Sequence, residues 1–203
     1  MKQLLLIAKV LSTVFRPSYY PTVGTLFLLF FTYLNLFPQD SKLFLLVLVF
    51  LFTVGFPALG IFIYRRLHHW SALELRKHHK RAIPYIIHIF CYLCLMHIFY
   101  VFHIPHFLMV LIGISLLIQC VCVVVNVWWK VSIHSAGTGG VIGALMIYSI
   151  IFGFNPLWWL SLAILVSGCV MTSRMVLRQH TLAQVLCGTI IGIVCGIIGT
   201  VLM

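Results

Sequence analysis

Long apolar runs separated by short polar segments dominate this chain. The runs that can form membrane-spanning helices lie at about 22–37, 43–64, 84–101, 107–127, 135–152, 157–173 and 183–202. About 20 apolar residues are needed to cross a bilayer as a helix, and the first and sixth runs are the shortest. The pattern therefore predicts an all-α, polytopic transmembrane helical bundle of about six to seven spans, built as a single integral membrane domain over residues 1–203.

The N-terminal segment, residues 1–21, differs from these runs because cations are spaced along it. Lys2, Lys9 and Arg16 flank a short apolar stretch, which is typical of a helix that lies along the membrane interface. We therefore expect an N-terminal interfacial helix before the first span.

The composition limits the chemistry that the chain can perform. Hydrophobic residues make up 63% of it and charged residues 7%, a balance that no soluble domain of this size requires. Lys and Arg number 13 against the two carboxylates Asp40 and Glu74, which gives a formal net charge of +11. Chemistry that needs paired carboxylates is excluded, and a carboxylate-bound metal is disfavoured. The basic excess suits membrane lipids and phosphorylated substrates, whereas nothing besides charge supports a nucleic acid as a partner.

The cations are predicted to lie at one face of the bundle. A seven-span topology places the N-terminus and the loops at 65–83, 128–134 and 174–182 together, and only Lys42 lies opposite. The cations of the shared face are Lys2, Lys9, Arg16, Arg65, Arg66, Arg76, Lys77, Lys80, Arg81, Lys130, Arg174 and Arg178. The positive-inside rule puts this face in the cytoplasm.

Two spans carry glycines at four-residue spacing. Gly188, Gly192 and Gly196 lie in the last span, and Gly139 and Gly143 lie in the fifth. Small residues at this spacing allow helices to approach closely. We interpret them as packing positions within the monomer, with a homodimer through the glycine-rich helices as the alternative.

Two polar segments carry the candidate chemistry. One is Lys130-Val131-Ser132-Ile133-His134, and the other combines Ser173-Arg174 with His180 and Gln184. Cations and imidazoles beside hydrocarbon are costly, so such a cluster predicts a functional site. Phosphate is the anion that arginine, lysine, hydroxyl and imidazole groups together bind. Because Lys130 also follows two tryptophans, an interfacial lysine is the alternative interpretation for that residue.

The spacing of these residues resembles the type 2 phosphatidic acid phosphatase superfamily. Ser173-Arg174-x5-His180 looks like the third signature of that superfamily, and Ser132-Ile133-His134 resembles the end of the second. The resemblance covers a phosphatase-like core over residues 65–203. The first signature, Lys-x6-Arg-Pro, is the weakest match, because Arg76 replaces its lysine and Ile83 stands where its arginine is expected.

The resemblance implies a role for each residue without a metal or another cofactor. His180 is the nucleophile that forms a phosphohistidine. His134 is the general acid and then the base that activates water. The phosphoryl oxygens are held by Arg174, Ser132, Lys130, Arg81 and Lys77.

Gln184 is the largest departure from the family pattern, which usually places an aspartate four residues after the nucleophilic histidine. Residues four apart share a helical face, so the carbonyl of Gln184 can accept the imidazole N–H and set the tautomer, although it carries no charge. We interpret Gln184 as part of a divergent catalytic site, with phosphate binding without turnover as the alternative.

The expected function is hydrolysis of a phosphomonoester or pyrophosphate of a lipid. Phosphatidate, phosphatidylglycerophosphate, a prenyl diphosphate and a lipid A phosphate all fit, and the sequence does not choose among them. The alternatives are a lipid phosphotransferase and a non-catalytic phospholipid-binding or transport protein that keeps the phosphate pocket. The short chain and sparse loops resemble bacterial members, so the expected location is the bacterial inner membrane, with the site loops on the cytoplasmic side.

Overall fold

The computed structural model of the protein describes residues 2–31, 33–68 and 82–202. Throughout these ranges the regular structure is helical, without a β-strand, which confirms the predicted all-α fold class. The α-helices are α1 (Lys2–Val14), α2 (Tyr20–Phe31), α3 (Gln39–Leu67), α4 (Ala82–Val101), α5 (His106–Trp128), α6 (Ile133–Ile151), α7 (Leu157–Val176) and α8 (Leu182–Leu202).

Six helices of the described ranges, α3 to α8, are long and apolar enough to cross a membrane. The molecule is therefore a polytopic integral membrane protein. Large apolar side chains cover its outer surface, where hydrocarbon rather than water is their neighbour. Phe90 on α4 is 67% exposed and Ile150 on α6 is 76% exposed.

The first predicted span, 22–37, does not form one long helix. It is divided into the twelve-residue α2 and a 3₁₀ turn, Tyr33–Leu36. Even so, α2 and this turn together connect the two ends of the bundle. The Tyr20 ring lies against Gly137 in the first turns of α6, while the Phe27 and Phe31 rings contact Trp159 at the start of α7. As predicted, α1 therefore lies at the same end as the 128–134 and 174–182 connections.

The long helix α3 contains a π-helical turn over Leu51–Gly55. Pro57 follows this turn and has no amide hydrogen to donate to the carbonyl four residues earlier, so the hydrogen-bond ladder shifts there. The side chain of Thr53 is fully buried in the turn, and its hydroxyl is 3.1 Å from that of Thr22 on α2.

Lys42, the cation predicted opposite the basic face, is 2% exposed. Its Nζ donates to the backbone carbonyl and the side-chain oxygen of Asn35, at 2.7 and 2.8 Å, and lies over the Phe30 ring. These contacts fasten the 3₁₀ turn to the start of α3. The charge is thus compensated by amide oxygens inside the protein.

The glycines of α6 and α8 form the closest helix–helix contact of the structure's described part. A Cβ atom built on Gly192 would lie 2.0 Å from the carbonyl oxygen of Ala136, and one on Gly139 would lie 2.2 Å from that of Thr189. The interpretation of the two motifs as packing within the monomer agrees with this geometry. The alternative, a homodimer through the glycine-rich helices, stays a prediction.

Candidate functional site

A cavity of about 870 Å³ opens at the end of the bundle that carries the polar connections. It is lined by Lys9, Ser12, Thr13, Arg16, Pro17, Ser18, Pro84, Tyr85, His88, Gln119, Asn126, Lys130, Val131, Ile133, His134, Arg174, Leu177, Arg178, Gln179 and His180. This lining includes five cations and three histidines, and none of the described residues that form it carries a carboxylate. The cavity is therefore suited to an anion.

The C-terminal end of α7 turns the chain so that His180 faces the cavity. The amide of Gln179 donates to the carbonyl of Arg174 and that of Arg178 donates to Met175, while Arg178 adopts a positive φ of 50°. This is the hydrogen-bond pattern of a Schellman cap, in which glycine is the usual residue at the left-handed position. Arg178 thus places a cation at the cavity in a backbone conformation that disfavours a side chain.

His180 is oriented by Gln184 at the start of α8. The Oε1 atom of Gln184 accepts from the backbone amide of Thr181 and lies 3.2 Å from Nδ1 of His180. The contact with Thr181 is one half of a capping box. Because a backbone N–H can only donate, the glutamine atom that faces it is the oxygen, and Nδ1 of His180 must carry a hydrogen to donate to that same oxygen. The lone pair of the neutral ring is then on Nε2.

His134 lies in the first turn of α6, close enough to Arg174 and His180 to interact with both electrostatically, and its ring also contacts the backbone of Ser12. Its Nδ1 atom is buried and has no hydrogen-bond partner among the described residues. Buried polar atoms without a partner are rare and call for an explanation. A proton donor or acceptor that acts on a bound ligand is one such explanation.

Arg174 is fixed by a residue that the sequence analysis did not select. Its Nη1 donates to the hydroxyl of Ser12 on α1, at 2.7 Å. Ser12 and Ala8 are the buried side chains of α1, and they lie four residues apart on one face of the helix. Two small residues four apart in an amphipathic helix predict that α1 packs closely on the bundle. This spacing was the sequence signal that could have identified Ser12.

Lys130 reaches across the cavity mouth, where its Nζ donates to the backbone carbonyl of Gln179. The lysine thus joins the α5–α6 connection to the α7–α8 connection, as part of the cavity lining. Trp128, two residues before it, is 78% exposed. The tryptophan therefore has the interfacial position, while the lysine faces the site.

One predicted phosphate contact, Ser132, does not line the cavity. Ser132 is fully buried, and its Oγ accepts from the amide and hydroxyl of Ser135, so its side chain caps the start of α6. Lys77 and Arg81 lie outside the described residues. The additional cations that line the cavity are Lys9, Arg16 and Arg178.

No protein-family model, curated protein or solved structure matches this chain.

Replacing Ser12 with alanine is expected to loosen α1 without unfolding the bundle. The change leaves a donor of the half-buried Arg174 guanidinium without this acceptor, and hydrogen bonds to charged groups contribute about 1.5–3 kcal/mol. Hydrogen exchange of the α1 amides should therefore accelerate by about tenfold or more. Thr13→Ala is the matched control, because the exposed Thr13 hydroxyl bonds only within α1, to the Lys9 carbonyl. Unchanged α1 exchange in Ser12→Ala would show that this contact does not hold the helix.

Proposed function

We propose that this chain is an integral-membrane lipid phosphate phosphatase that acts through a phosphohistidine intermediate. The observation that carries the proposal is the meeting of two imidazoles in one cationic cavity. His180 has its Nδ1–H engaged by Gln184, and His134 has a buried Nδ1 without a partner among the described residues. The cavity lies at the ends of membrane-spanning helices, which is the level of a lipid headgroup.

The resemblance of Ser173-Arg174-x5-His180 and Ser132-Ile133-His134 to the type 2 phosphatidic acid phosphatase superfamily supports the same proposal. The structure brings Arg174, His134 and His180 of these two segments to a single cavity. Residues distant in sequence thus supply the groups that phosphoryl transfer needs, namely a nucleophile, a proton carrier and a cation for the phosphoryl oxygens.

In the proposed first step, Nε2 of His180 attacks phosphorus and the bond from phosphorus to the leaving oxygen breaks. His134, protonated when the phosphate is bound, gives its proton to that oxygen. Arg174 and Lys130 compensate the charge on the phosphoryl oxygens. In the second step, water attacks phosphorus, His134 takes its proton, and the phosphorus–nitrogen bond breaks. Inorganic phosphate leaves, and both imidazoles return to their starting protonation.

The uncharged Gln184 favours a second candidate, a phospholipid-binding protein that does not turn over. An aspartate at this position would stabilise the positively charged imidazole of the intermediate, which a glutamine carbonyl does more weakly. The two candidates differ in phosphate release. Purified protein in detergent with EDTA, tested on a panel of lipid phosphates, should release phosphate and form an acid-labile phosphoryl adduct at His180. Intact lipid binding without release or adduct would favour the binding protein.

We also propose that the cavity opens to the cytoplasm in a bacterial inner membrane, because the described connections at this end carry cations. Ser41→Cys and His68→Cys replace exposed side chains at opposite ends of α3. A membrane-impermeant maleimide applied to intact cells should label the cysteine at 41, and the one at 68 only after permeabilisation. The seven native cysteines lie within the membrane-spanning helices. Labelling of position 68 from outside would reverse the orientation.

A further inference from the structure

One wall of the cavity is polar but uncharged. It consists of Tyr85 and His88 from α4 and Gln119 and Asn126 from α5, with Ser18 from the turn before α2. The cations of the described lining come from α1 and its C-terminal end, the α5–α6 connection and the region around the α7–α8 connection. The cavity therefore has a cationic side and a neutral side that offers hydrogen bonds.

The neutral wall is held in place by its own hydrogen bonds. Nδ1 of His88 lies 2.7 Å from the Pro84 carbonyl, and Nε2 lies 3.0 Å from the Ser18 hydroxyl. A carbonyl only accepts, so Nδ1 carries a hydrogen and a neutral ring accepts the Ser18 hydroxyl hydrogen at Nε2. The amide of Asn126 is fixed in the same way, because it donates to the Cys122 carbonyl and accepts from the backbone amide of residue 131. The wall is thus preorganised before a ligand binds.

The wall extends inward from the phosphate-binding residues. His134, Arg174 and His180 lie at helix ends, whereas Gln119 lies nine residues before the end of α5, about 13 Å along the helix. Gln119 is 5% exposed, lines the cavity and bonds to the buried Tyr92. Polar side chains at this depth in a membrane protein are costly and mark functional positions. If the phosphate of a lipid binds at Arg174, the part of the lipid to which that phosphate is attached lies along this wall.

We propose that this wall is a subsite for hydroxyl groups, and that the phosphate of the substrate is attached to a hydroxyl-bearing moiety, such as glycerol or a sugar. The inference rests on the proposed function and narrows its substrate class. Amide and hydroxyl groups of fixed orientation bind a ligand hydroxyl through the hydrogen-bonding positions that their internal bonds leave open, and they bind the analogue that lacks this hydroxyl more weakly. A plain hydrocarbon next to the phosphate, as in a prenyl diphosphate, would exclude water from this polar wall without offering a hydrogen bond in exchange.

The test compares lysophosphatidate with its 2-deoxy analogue, which has the same acyl chain and charge but lacks one hydroxyl. Wild-type protein should show a kcat/KM at least about tenfold higher for the hydroxylated lipid. Gln119→Met should lower this value by about five- to tenfold and lower the value for the deoxy lipid by clearly less. Ser115→Ala is the control, because Ser115 lies one turn earlier on α5, bonds to the Leu111 carbonyl and is not part of the cavity lining.

Equilibrium binding of both lipids to His180→Ala protein separates this inference from the proposed function. Tighter binding of the hydroxylated lipid without any turnover by wild type would support the subsite and refute the phosphatase. Turnover of both lipids at equal kcat/KM, or an equal loss for both in Gln119→Met, would overturn the subsite and leave the phosphatase standing. The comparison of the two lipids in wild-type protein does not need the Gln119 variant. It therefore tests the subsite even if that variant fails to fold.

Discussion

Replacing His180 with alanine is expected to reduce phosphate release from lipid phosphates by at least about 10³-fold, because the variant lacks the nucleophile that forms the covalent intermediate. The cationic side of the cavity remains, since Arg174 and Lys130 are positioned by Ser12 and by the Gln179 backbone. Lipid binding should therefore change much less than turnover. The measurement is the initial rate of phosphate release in detergent with EDTA, together with the dissociation constant of the same lipid.

His97→Ala is the matched control for the loss of a histidine. His97 lies on α4, is exposed on the outer surface and does not line the cavity, so its loss should leave the rate within about twofold of wild type. Retention of more than about a tenth of the wild-type rate by His180→Ala would rule out a phosphohistidine at this residue. An equal fall for both variants would indicate damage to folding rather than to the site.

The helical membrane fold could be read from the sequence because lipid leaves few alternatives. Backbone polar groups inside a bilayer must be satisfied within the segment, so a long apolar run predicts a helix with little dependence on its neighbours. The run at 22–37 was the exception. Its division into α2 and a 3₁₀ turn is linked to a tertiary contact, in which Lys42 on α3 bonds to Asn35. The hydropathy of the run alone does not predict that contact.

Part of the site was predictable because some of its contacts join residues that are close in the sequence. Short-range spacing identified His180, Gln184 and Arg174. The contact between Gln184 and His180 was expected across one helical face, whereas His180 lies before α8 and Gln184 reaches back to it from the capping box. The contribution of Ser12 was missed because its partner Arg174 is far away in the sequence. The same holds for the neutral wall, whose members belong to three separate elements. The capping contact of Ser132 was not predicted, because one hydroxyl at a helix start can either cap the helix or bind a ligand, and spacing does not distinguish the two. The phosphate contact of Ser132 stays a prediction.

The contact between α6 and α8 explains why a change far from the cavity should have a large effect. His134 is in the first turn of α6, and His180 lies just before α8, so the distance between the two imidazoles depends on how closely these helices approach. The approach is set by glycines. At Gly192 the nearest neighbours are the carbonyl oxygen of Ala136 and the amide nitrogen of Gly140, both backbone atoms that cannot change rotamer.

Gly192→Ala is therefore expected to destabilise the protein by about 3 kcal/mol, at the upper end of the range for overpacking. The added Cβ would lie 2.0 Å from the Ala136 oxygen, so the helices must separate. The melting temperature in detergent should fall by roughly 6–12 °C, and phosphate release should fall with it because the two histidines move apart. Gly168→Ala on α7 is the control, since a Cβ there meets nothing within 4 Å and alanine is favoured over glycine in a helix by about 1 kcal/mol. Equal melting temperatures for Gly192→Ala and Gly168→Ala would show that the two helices are not packed through these glycines, and the proposed pairing of His134 with His180 would lose its structural support.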